Sequence, residues 1–445
     1  MIENEYTIID FRNIDGRNRM KKGIKTIILN AIVLVIGSVL GLLALIAVHM
    51  LPVQPMQANV YWSLGMIEKE FSDEVLIDGY NATLTGNFTD CLMLEHAVYS
   101  NDEHTVLEQV LNMYRAESYY DESYEDGWWP GQSLVDYLYG TAQPREVTYG
   151  RYWHGYLVIL KPLLYLTNVN TIRLLNASLQ LILAGFVAVE LGKKGSSAFA
   201  KAFMISLPFM FFVSSFSSLS LSICLYIMLG AMLVQCKWGN ILSVNSRYMH
   251  FFLVVGMITA YLDFLTYPLV TLAYPLCVCL YFESDKTKQG IKKIFIYSLE
   301  WMIGYGGMWA AKWVLSDLLI GSTTIKDALI NVFTRTQSAE NTTRFSGFFL
   351  VLSKNLQVYL NWGFILLLIV LAIVFVVKIF KTGIKNVIRN LSSGIVFFIV
   401  AVSPLVWYFV LENHSEQHWP FTCRIMAISV FAGIAGVNRI FEKKV

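Results

Sequence analysis

Two histidines, His414 and His418, stand four residues apart in the run Glu412-Asn413-His414-Ser415-Glu416-Gln417-His418. On a helix that spacing puts both imidazoles on one face, where they could bind a metal, contact an anion or an acceptor, or simply belong to an interfacial loop. The Glu-between pattern of zinc hydrolases is not met, since Glu412 and Glu416 are only neighbours. Arg424 lies just inside an apolar stretch, and a charge so close to hydrocarbon pairs or snorkels. Asp263, in Tyr261-Leu262-Asp263-Phe264-Leu265-Thr266-Tyr267-Pro268, falls at the end of another such stretch. It is either a functional acid or a helix-end hydrogen-bonding group beside the Pro268 break. Glu300 and Lys312 are too far apart to pair along one helix, and Glu300 reads as an internal packing polar group or a cytoplasmic-side snorkel rather than a catalyst.

The elements that must position these side chains are membrane helices. Of 445 residues, 56% are hydrophobic and 14% aromatic, too apolar for a soluble fold. Several stretches reach the ~20 apolar residues that cross ~30 Å of hydrocarbon. The pattern predicts an all-α polytopic membrane protein with about ten transmembrane helices, near 26–50, 169–191, 198–215, 218–236, 249–266, 267–283, 292–314, 358–379, 392–411 and 422–440. The first is too long for a signal-peptide core and lacks a small-residue cleavage site, so it reads as a retained helix.

The connections between these stretches alternate in charge. One set holds Arg17, Arg19, Lys21, Lys22 and Lys25, then Lys193 and Lys194, Lys237 and Arg247, Lys292 and Lys293, and Lys381 to Arg389. The positive-inside rule places this set and both termini in the cytoplasm of an integral protein, with the plasma membrane as the expected location. The other set faces outward: 51–168, with 17 Asp or Glu against five Lys or Arg, and smaller loops at 321–356 and 412–421. The organisation is therefore a cytoplasmic tail (1–25), a first span (26–50), an extracytoplasmic loop with interfacial helices (51–168) and a transmembrane bundle (169–445).

The long loop reads as partly helical. Asp90, Leu94 and Ala97 share one helical face, and Val106, Val110, Met113 and Tyr114 suggest a second amphipathic helix after the break at Asn101 to His104. The tyrosine- and acid-rich stretch Tyr119 to Trp129 suits either a saccharide-facing surface or plain solvation with interfacial anchoring. Tyr156 to Leu166 (YLVILKPLLYL) is too short to span the bilayer, and counting it as a span would put Lys193 and Lys194 outside. It is expected to lie along the outer surface, with Tyr152, Trp153 and Tyr156 at headgroup depth. Of the six cysteines only Cys91 sits clearly in the polar loop, which argues against a disulfide framework; Cys277-Val-Cys279 reads as apolar filler.

The run Tyr149-Gly150-Arg151-Tyr152-Trp153-His154-Gly155-Tyr156 continues through Lys161-Pro162-Leu163-Leu164 to Val169-Asn170-Thr171-Ile172-Arg173-Leu174-Leu175-Asn176. At profile level it resembles the end of the first outer loop in membrane glycosyltransferases of the GT-C superfamily. Gly192-Lys193-Lys194 and Ser206-Leu207-Pro208 look like the continuation of the same pattern. The resemblance implies transfer of a sugar from a polyprenyl-phosphate donor to an extracytoplasmic glycan, lipid or protein acceptor. It also implies an acidic residue in the first outer loop as base or metal ligand, with Mg or Mn as the candidate divalent cation. Asp90, in Thr89-Asp90-Cys91-Leu92-Met93-Leu94-Glu95-His96-Ala97, is the matching position, and Asp263 could be a second acid opposite it. Independently of the family, Asp90 at a helix start can be an N-cap. The developing negative charge on a departing lipid phosphate needs cations, for which Arg151, His154, Lys161, Arg344, His414, His418 and Arg424 are the outward candidates.

Two other classes compete with this reading. A lipid-linked glycan transporter or flippase would show internal repeats with broken helices at matching positions, and the sequence has none. In a polysaccharide polymerase or ligase the prominent loop usually falls later in the chain. No P-loop or G-x-G-x-x-G stands ready for a nucleotide, and nothing points to nucleic acid.

Overall fold

The computed structural model describes residues 11–67, 85–118, 130–141, 145–244, 246–283, 287–339 and 342–442, with side chains from Gly23 onward. The stretch Tyr119 to Trp129 lies outside the described residues. Among the described residues the protein is all-α apart from one two-stranded antiparallel ribbon.

The first helix, α1 (Phe11–His49), carries the first apolar run and leads into the unit expected to face outward, here called the outer unit. That unit comprises α2 (Val53–Tyr61), α3 (Leu64–Ile67), α4 (Asn87–Val98), α5 (Val106–Asn112), α6 (Pro130–Tyr139) and α7 (Leu157–Leu166). Between them run β1 (Tyr114–Glu117) and β2 (Arg145–Thr148), paired Tyr114 to Thr148 and Glu117 to Arg145. The two helices expected in the loop are α4 and α5. The second is shorter than expected because Met113 turns left-handed at φ 48 and Tyr114 already belongs to β1. A capping box between Thr105 and Glu108 starts α5. Helix α4 has no solvent-facing stripe: Asn87 and every residue from Asp90 to Val98 are buried.

The bundle follows as α8 (Val169–Lys194), α9 (Ser197–Phe209), α10 (Leu219–Leu242), α11 (Arg247–Leu262), α12 (Leu269–Glu283) and α13 (Thr287–Ile320). Next come α14 (Thr324–Thr336), α15 (Arg344–Gln357), α16 (Trp362–Thr382), α17 (Ile384–Ala401) and α18 (Ser403–Val410). The chain closes with α19 (Glu412–Gln417), α20 (Trp419–Thr422) and α21 (Met426–Phe441). Among the described residues, six helical stretches are long and apolar enough to cross a membrane: Gly23–His49, Val169–Lys194, Leu219–Leu242, Trp362–Thr382, Ile384–Val410 and Trp419–Phe441. The other four expected spans coincide with α9, α11 and α12, which are shorter apolar helices of 13, 16 and 15 residues, and with the 34-residue α13. Helix α13 carries Glu300, Lys312 and Ser316 on its buried side. Within it Glu300 accepts from Asn30 Nδ2 at 2.7 Å, so it is an internal hydrogen-bonding group.

Close approach holds α11 against α13. A Cβ on Gly256 would lie 2.2 Å from the Trp301 carbonyl oxygen, and one on Gly304 would lie 2.0 Å from that of Leu253. Small residues at such crossings let two backbones pack directly, the usual device where water supplies no driving force between helices. The crossing matters for the site, because the connection after α11 forms one of its walls.

Helix α7 spans ten residues, about 15 Å at 1.5 Å per residue and half a bilayer core. The neighbouring aromatics are not at a headgroup surface. Trp153 is fully buried and its Nε1 donates to the Met308 carbonyl at 2.6 Å, while Tyr152 and Tyr156 are buried as well. They stack inside the protein because α13 and the α11–α12 connection pack over them.

Candidate functional site

On the outer-unit side of the bundle a cavity of about 230 Å³ forms where five pieces of chain meet. Helix α4 contributes Phe88, Thr89 and Leu92; the segment after β2 contributes Tyr149 and Tyr152; the α11–α12 connection contributes Phe264, Leu265 and Thr266. Arg335 comes from the last turn of α14, and His414, Gln417 and His418 come from α19 and its C-cap. The helical i, i+4 spacing brings the His414 and His418 rings to 4.7 Å between centroids, on the cavity side.

His414 Nε2 donates to the Leu265 carbonyl at 3.0 Å. A neutral ring with that nitrogen protonated offers Nδ1 as an acceptor, and Arg335 Nη1 approaches it at 3.4 Å. Burial, with His418 and Arg335 nearby, holds the His414 imidazole well below its ordinary value. Burial and then Arg335 lower His418 to about 4. Both imidazoles are therefore neutral at pH 7, and Arg335 is the charge in the cavity. This half-buried guanidinium lies 6.0 Å from the Tyr152 ring centroid. Among the described residues no carboxylate lies within ion-pair distance of it; Asp327, one helix face away, pairs with Arg151 at 3.5 Å. A guanidinium without a carboxylate, beside neutral imidazoles and tyrosines, is built to receive an anion.

The wall is held in an uncommon backbone state. Leu265 sits at φ 71, in the left-handed region that branched, bulky residues rarely occupy. Asp263 holds that conformation: its Oδ2 accepts from the Leu265 and Thr266 amides at 2.8 and 3.0 Å, and its Oδ1 accepts from the Thr266 hydroxyl. Behind Tyr152, Tyr305 Oη and Trp309 Nε1 are buried and have no hydrogen-bond partner among the described residues.

Of the nine residues expected to act at the site, the structure brings His414 and His418 to the cavity and places the other seven elsewhere. Asp90 does not line it. Its Oδ2 accepts from the Leu219 amide at 2.7 Å, and its Oδ1 from the Ser220 amide at 2.9 Å and the Ser220 and Ser218 hydroxyls at 2.7 and 3.1 Å. This carboxylate caps the N-terminus of α10 from another element, and its chain neighbour Thr89 is the one that faces the cavity. Burial pushes the Asp90 carboxyl upward, against Arg173 and the Ser220 and Leu219 amides. Asp263 is likewise turned into its own connection, with Leu265 and Thr266 facing the cavity instead. The two acids stand behind the wall rather than across from each other.

The remaining cations are occupied too. Lys161 Nζ donates to the Ala97 carbonyl at 2.8 Å, a cation on the C-terminal turn of α4. His154, at φ 55, donates from Nε2 to the Tyr149 carbonyl at 2.9 Å and accepts from the Tyr156 hydroxyl at Nδ1. Burial lowers its imidazole to about 3, so it is neutral. Arg344 donates to the Thr336 and Val410 carbonyls and lies 3.8 Å from Glu412. Arg424 is fully buried, with Nη1 donating to the Pro420 carbonyl and Nη2 to Ser214 Oγ at 2.9 Å. Sequence reasoning missed Arg335, Tyr149 and Gln417. The signal for Arg335 was its place in the outward segment 321–356, which it shares with Arg344; spacing alone does not tell which of the two meets Glu412.

A divalent cation does not fit at Asp90, whose oxygens already accept from four protein donors. Among the described residues no three His, Cys, Asp or Glu groups converge on a point where a metal could sit. Among the described residues all six cysteines are buried and none is in a disulfide.

A second space lies on the other side of α4. An apolar groove of about 700 Å³ runs between α7, α8 and α10, lined by Ile159, Leu163, Leu175, Leu179, Ile182 and Ile223, with Met93 and Tyr156 at its inner end. Leu92 faces the cavity and Met93 the groove, so α4 is the partition, helped by the Tyr156–Phe264 ring pair at 4.8 Å.

No family model, no characterised protein and no solved structure matches this chain.

Proposed function

We propose that the chain is a membrane glycosyltransferase that moves a sugar from a polyprenyl-phosphate donor to a glycan, lipid or protein acceptor at the outer face of a membrane. The observation that carries this reading is Arg335: a guanidinium with no carboxylate partner among the described residues, in a cavity with two neutral histidines, on the same side of the bundle as an apolar lateral groove. In this reading the phosphate sits at Arg335 and the isoprenoid tail in the groove, whose wall is almost wholly aliphatic, with the lipid passing over the rim of α4 and the Tyr156–Phe264 pair that divide the two spaces. At about 230 Å³ the cavity is below the ~300–1,000 Å³ of drug-sized pockets, so it takes the reacting ends of donor and acceptor rather than either whole molecule. Both spaces open on one side of the bundle, which favours chemistry at one face over a path through it. In this reading all ten helical stretches cross the bilayer, the unit from 51 to 168 faces outward and both termini face the cytoplasm.

The reaction then follows from the groups present. The acceptor hydroxyl oxygen attacks the anomeric carbon as the bond from that carbon to the phosphate oxygen breaks, and the electron pair leaves with the lipid phosphate. Arg335 stabilises the charge that develops there. The acceptor proton passes to the His418 imidazole. Burial and then Arg335 weaken that ring as a base; a bound phosphate offsets the Arg335 contribution and adds a negative charge that favours the protonated ring.

Binding of undecaprenyl phosphate to the purified protein tests the reading. Wild type binds it, and Arg335→Gln weakens binding by about tenfold or more, the worth of one charge-assisted hydrogen bond. Arg145→Gln, at an exposed position on β2, leaves binding unchanged. Equal binding by wild type and Arg335→Gln would sink the proposal.

A further inference from the structure

The opposite end of the bundle carries a polar pocket that the outer-face reading does not use. It has a volume of about 440 Å³ and lies where α8, α10 and α12 end and α13 begins. These are the ends remote from the cavity, since α10 starts at Asp90 and α12 starts below Asp263. At its floor is Gln235, on α10, 1% exposed. Among the described residues neither its Nε2 nor its Oε1 has a hydrogen-bond partner. A buried primary amide with donors and acceptor all unsatisfied has lost its water without replacement, and native proteins leave few of them. Such a group lining a solvent-open pocket marks a place for a ligand.

The lining sets the chemistry of that ligand. Glu283 contributes no free negative charge, because Lys293 Nζ meets it at 2.5 Å. Glu190 is taken by Lys193 at 3.0 Å. Lys194, on the pocket rim, has no carboxylate within ion-pair distance among the described residues, so the uncompensated charge is positive. Asn240, Ser243 and Tyr248 add hydroxyl and amide groups that can donate and accept. The pocket sits at helix ends that carry Lys193, Lys194 and Lys293, which the proposed topology places at the cytoplasmic membrane surface. That is where anionic headgroups concentrate and juxtamembrane lysines attract them.

We infer that this pocket binds a hydroxyl-bearing phosphate ester, with the phosphate at Lys194 and a hydroxyl on the Gln235 amide. The chemistry is shared by the headgroup of a glycerophospholipid and by a free sugar or glycerol phosphate. The site is independent of the cavity at Arg335.

The test uses the purified full chain. Retention of dioleoylphosphatidylglycerol against dioleoylphosphatidylcholine is measured by native mass spectrometry, and a second arm measures the thermal shift produced by glycerol 1-phosphate. Selective retention of phosphatidylglycerol identifies a lipid headgroup as the source, and a shift with glycerol phosphate alone identifies a soluble ester. In either arm Gln235→Leu and Lys194→Ala each weaken binding by about tenfold. Gln235→Leu replaces a buried unpaired amide by an apolar group of similar shape, so its melting temperature without ligand does not fall. Lys194 is exposed, so its removal leaves the fold intact. Equal retention of both lipids together with no glycerol phosphate shift overturns the inference, as does binding that neither substitution changes.

Discussion

Asp90 accepts four hydrogen bonds at 2.7 to 3.1 Å from the first turn of α10, which makes it a cap acting across 128 residues of sequence. Two oxygens face donors only, so an amide in their place would turn an N–H toward another N–H or hydroxyl. Asp90→Asn and Asp90→Ala should therefore both lower stability, by about 1–3 kcal/mol, while transfer per folded molecule stays within a few-fold of wild type. Thermal unfolding in detergent, paired with activity normalised to folded protein, checks this; a full loss of activity with unchanged melting would restore Asp90 as a reacting acid. His154 gives a pH prediction. Its folded pKa of about 3 lies below the ordinary 6.5, so the neutral ring is favoured by folding. That contribution is fully present above about pH 6.5 and is lost as pH falls toward 3, at up to about 1.4 kcal/mol per pH unit for one proton. The melting temperature should fall between pH 7 and pH 4.5, and His154→Asn should flatten part of that slope, since asparagine tolerates the left-handed φ of 55 and does not titrate. A slope that the substitution leaves unaltered refutes the assignment.

At the scale of elements, buried lysines placed on helix C-termini tie the outer unit together, through Lys161, and to the bundle, through Lys312. Lys161 reaches the Ala97 carbonyl near the end of α4, and Lys312 reaches the Val110 and Leu111 carbonyls, at 3.2 and 2.8 Å, at the end of α5. Cations at these ends satisfy carbonyls that the helix itself leaves open and oppose its negative pole. Helix α13 thus carries one of the fasteners and, through Gly304, also packs on α11, whose end sets the Asp263 turn. Gly304→Val should force these two helices apart, destabilising the protein by on the order of 1–3 kcal/mol or more and weakening anion binding at Arg335. Gly306→Ala on the same helix, where a Cβ meets nothing within 4 Å, should leave both unchanged. Melting curves of the two variants decide it: equal melting would mean that the crossing is not tight.

For the molecule as a whole, the apolar interior falls into two clusters, and neither respects a division between loop and membrane. One joins α2, α4, α5, α6 and α7 to α1, α11 and α13 through residues such as Leu45, Met56, Leu94, Leu111, Leu134, Leu157, Leu253 and Met308. The other fills the bundle among α8, α9, α10, α12, α17 and α21. The outer unit is therefore part of the same body as the helices below it. Its side of the membrane can be read by labelling. Because every native cysteine is buried, cysteines introduced at exposed Gln132 and Ser197 report cleanly. An impermeant thiol reagent added to intact cells should label Gln132→Cys and spare Ser197→Cys. The reverse pattern would invert the proposed topology and remove the outer-face assignment of the cavity.

The sequence by itself determined the helical class, because runs of apolar residues have only one way to satisfy their backbone groups away from water. It also located most helices: α5 follows from apolar spacing after the break at Asn101 to His104, and α4 was placed by the same spacing although the structure buries it nearly all round. The facing of His414 and His418 was legible for the same reason, since an i, i+4 relation is set within one turn. What only the tertiary structure decided is which charged group meets which partner. Asp90 and Leu219, Lys161 and Ala97, Lys312 and Leu111, and His414 and Leu265 are separated by 64 to 201 residues. Spacing along a helix assigns a side chain to a face, whereas its partner depends on which distant element packs over that face. Arg335 and Arg344 make the point, being similar cations in one outward segment. One lies against Glu412 and two backbone carbonyls; the other faces an open cavity without a carboxylate, and only the packing of α14 and α15 against α19 separates them.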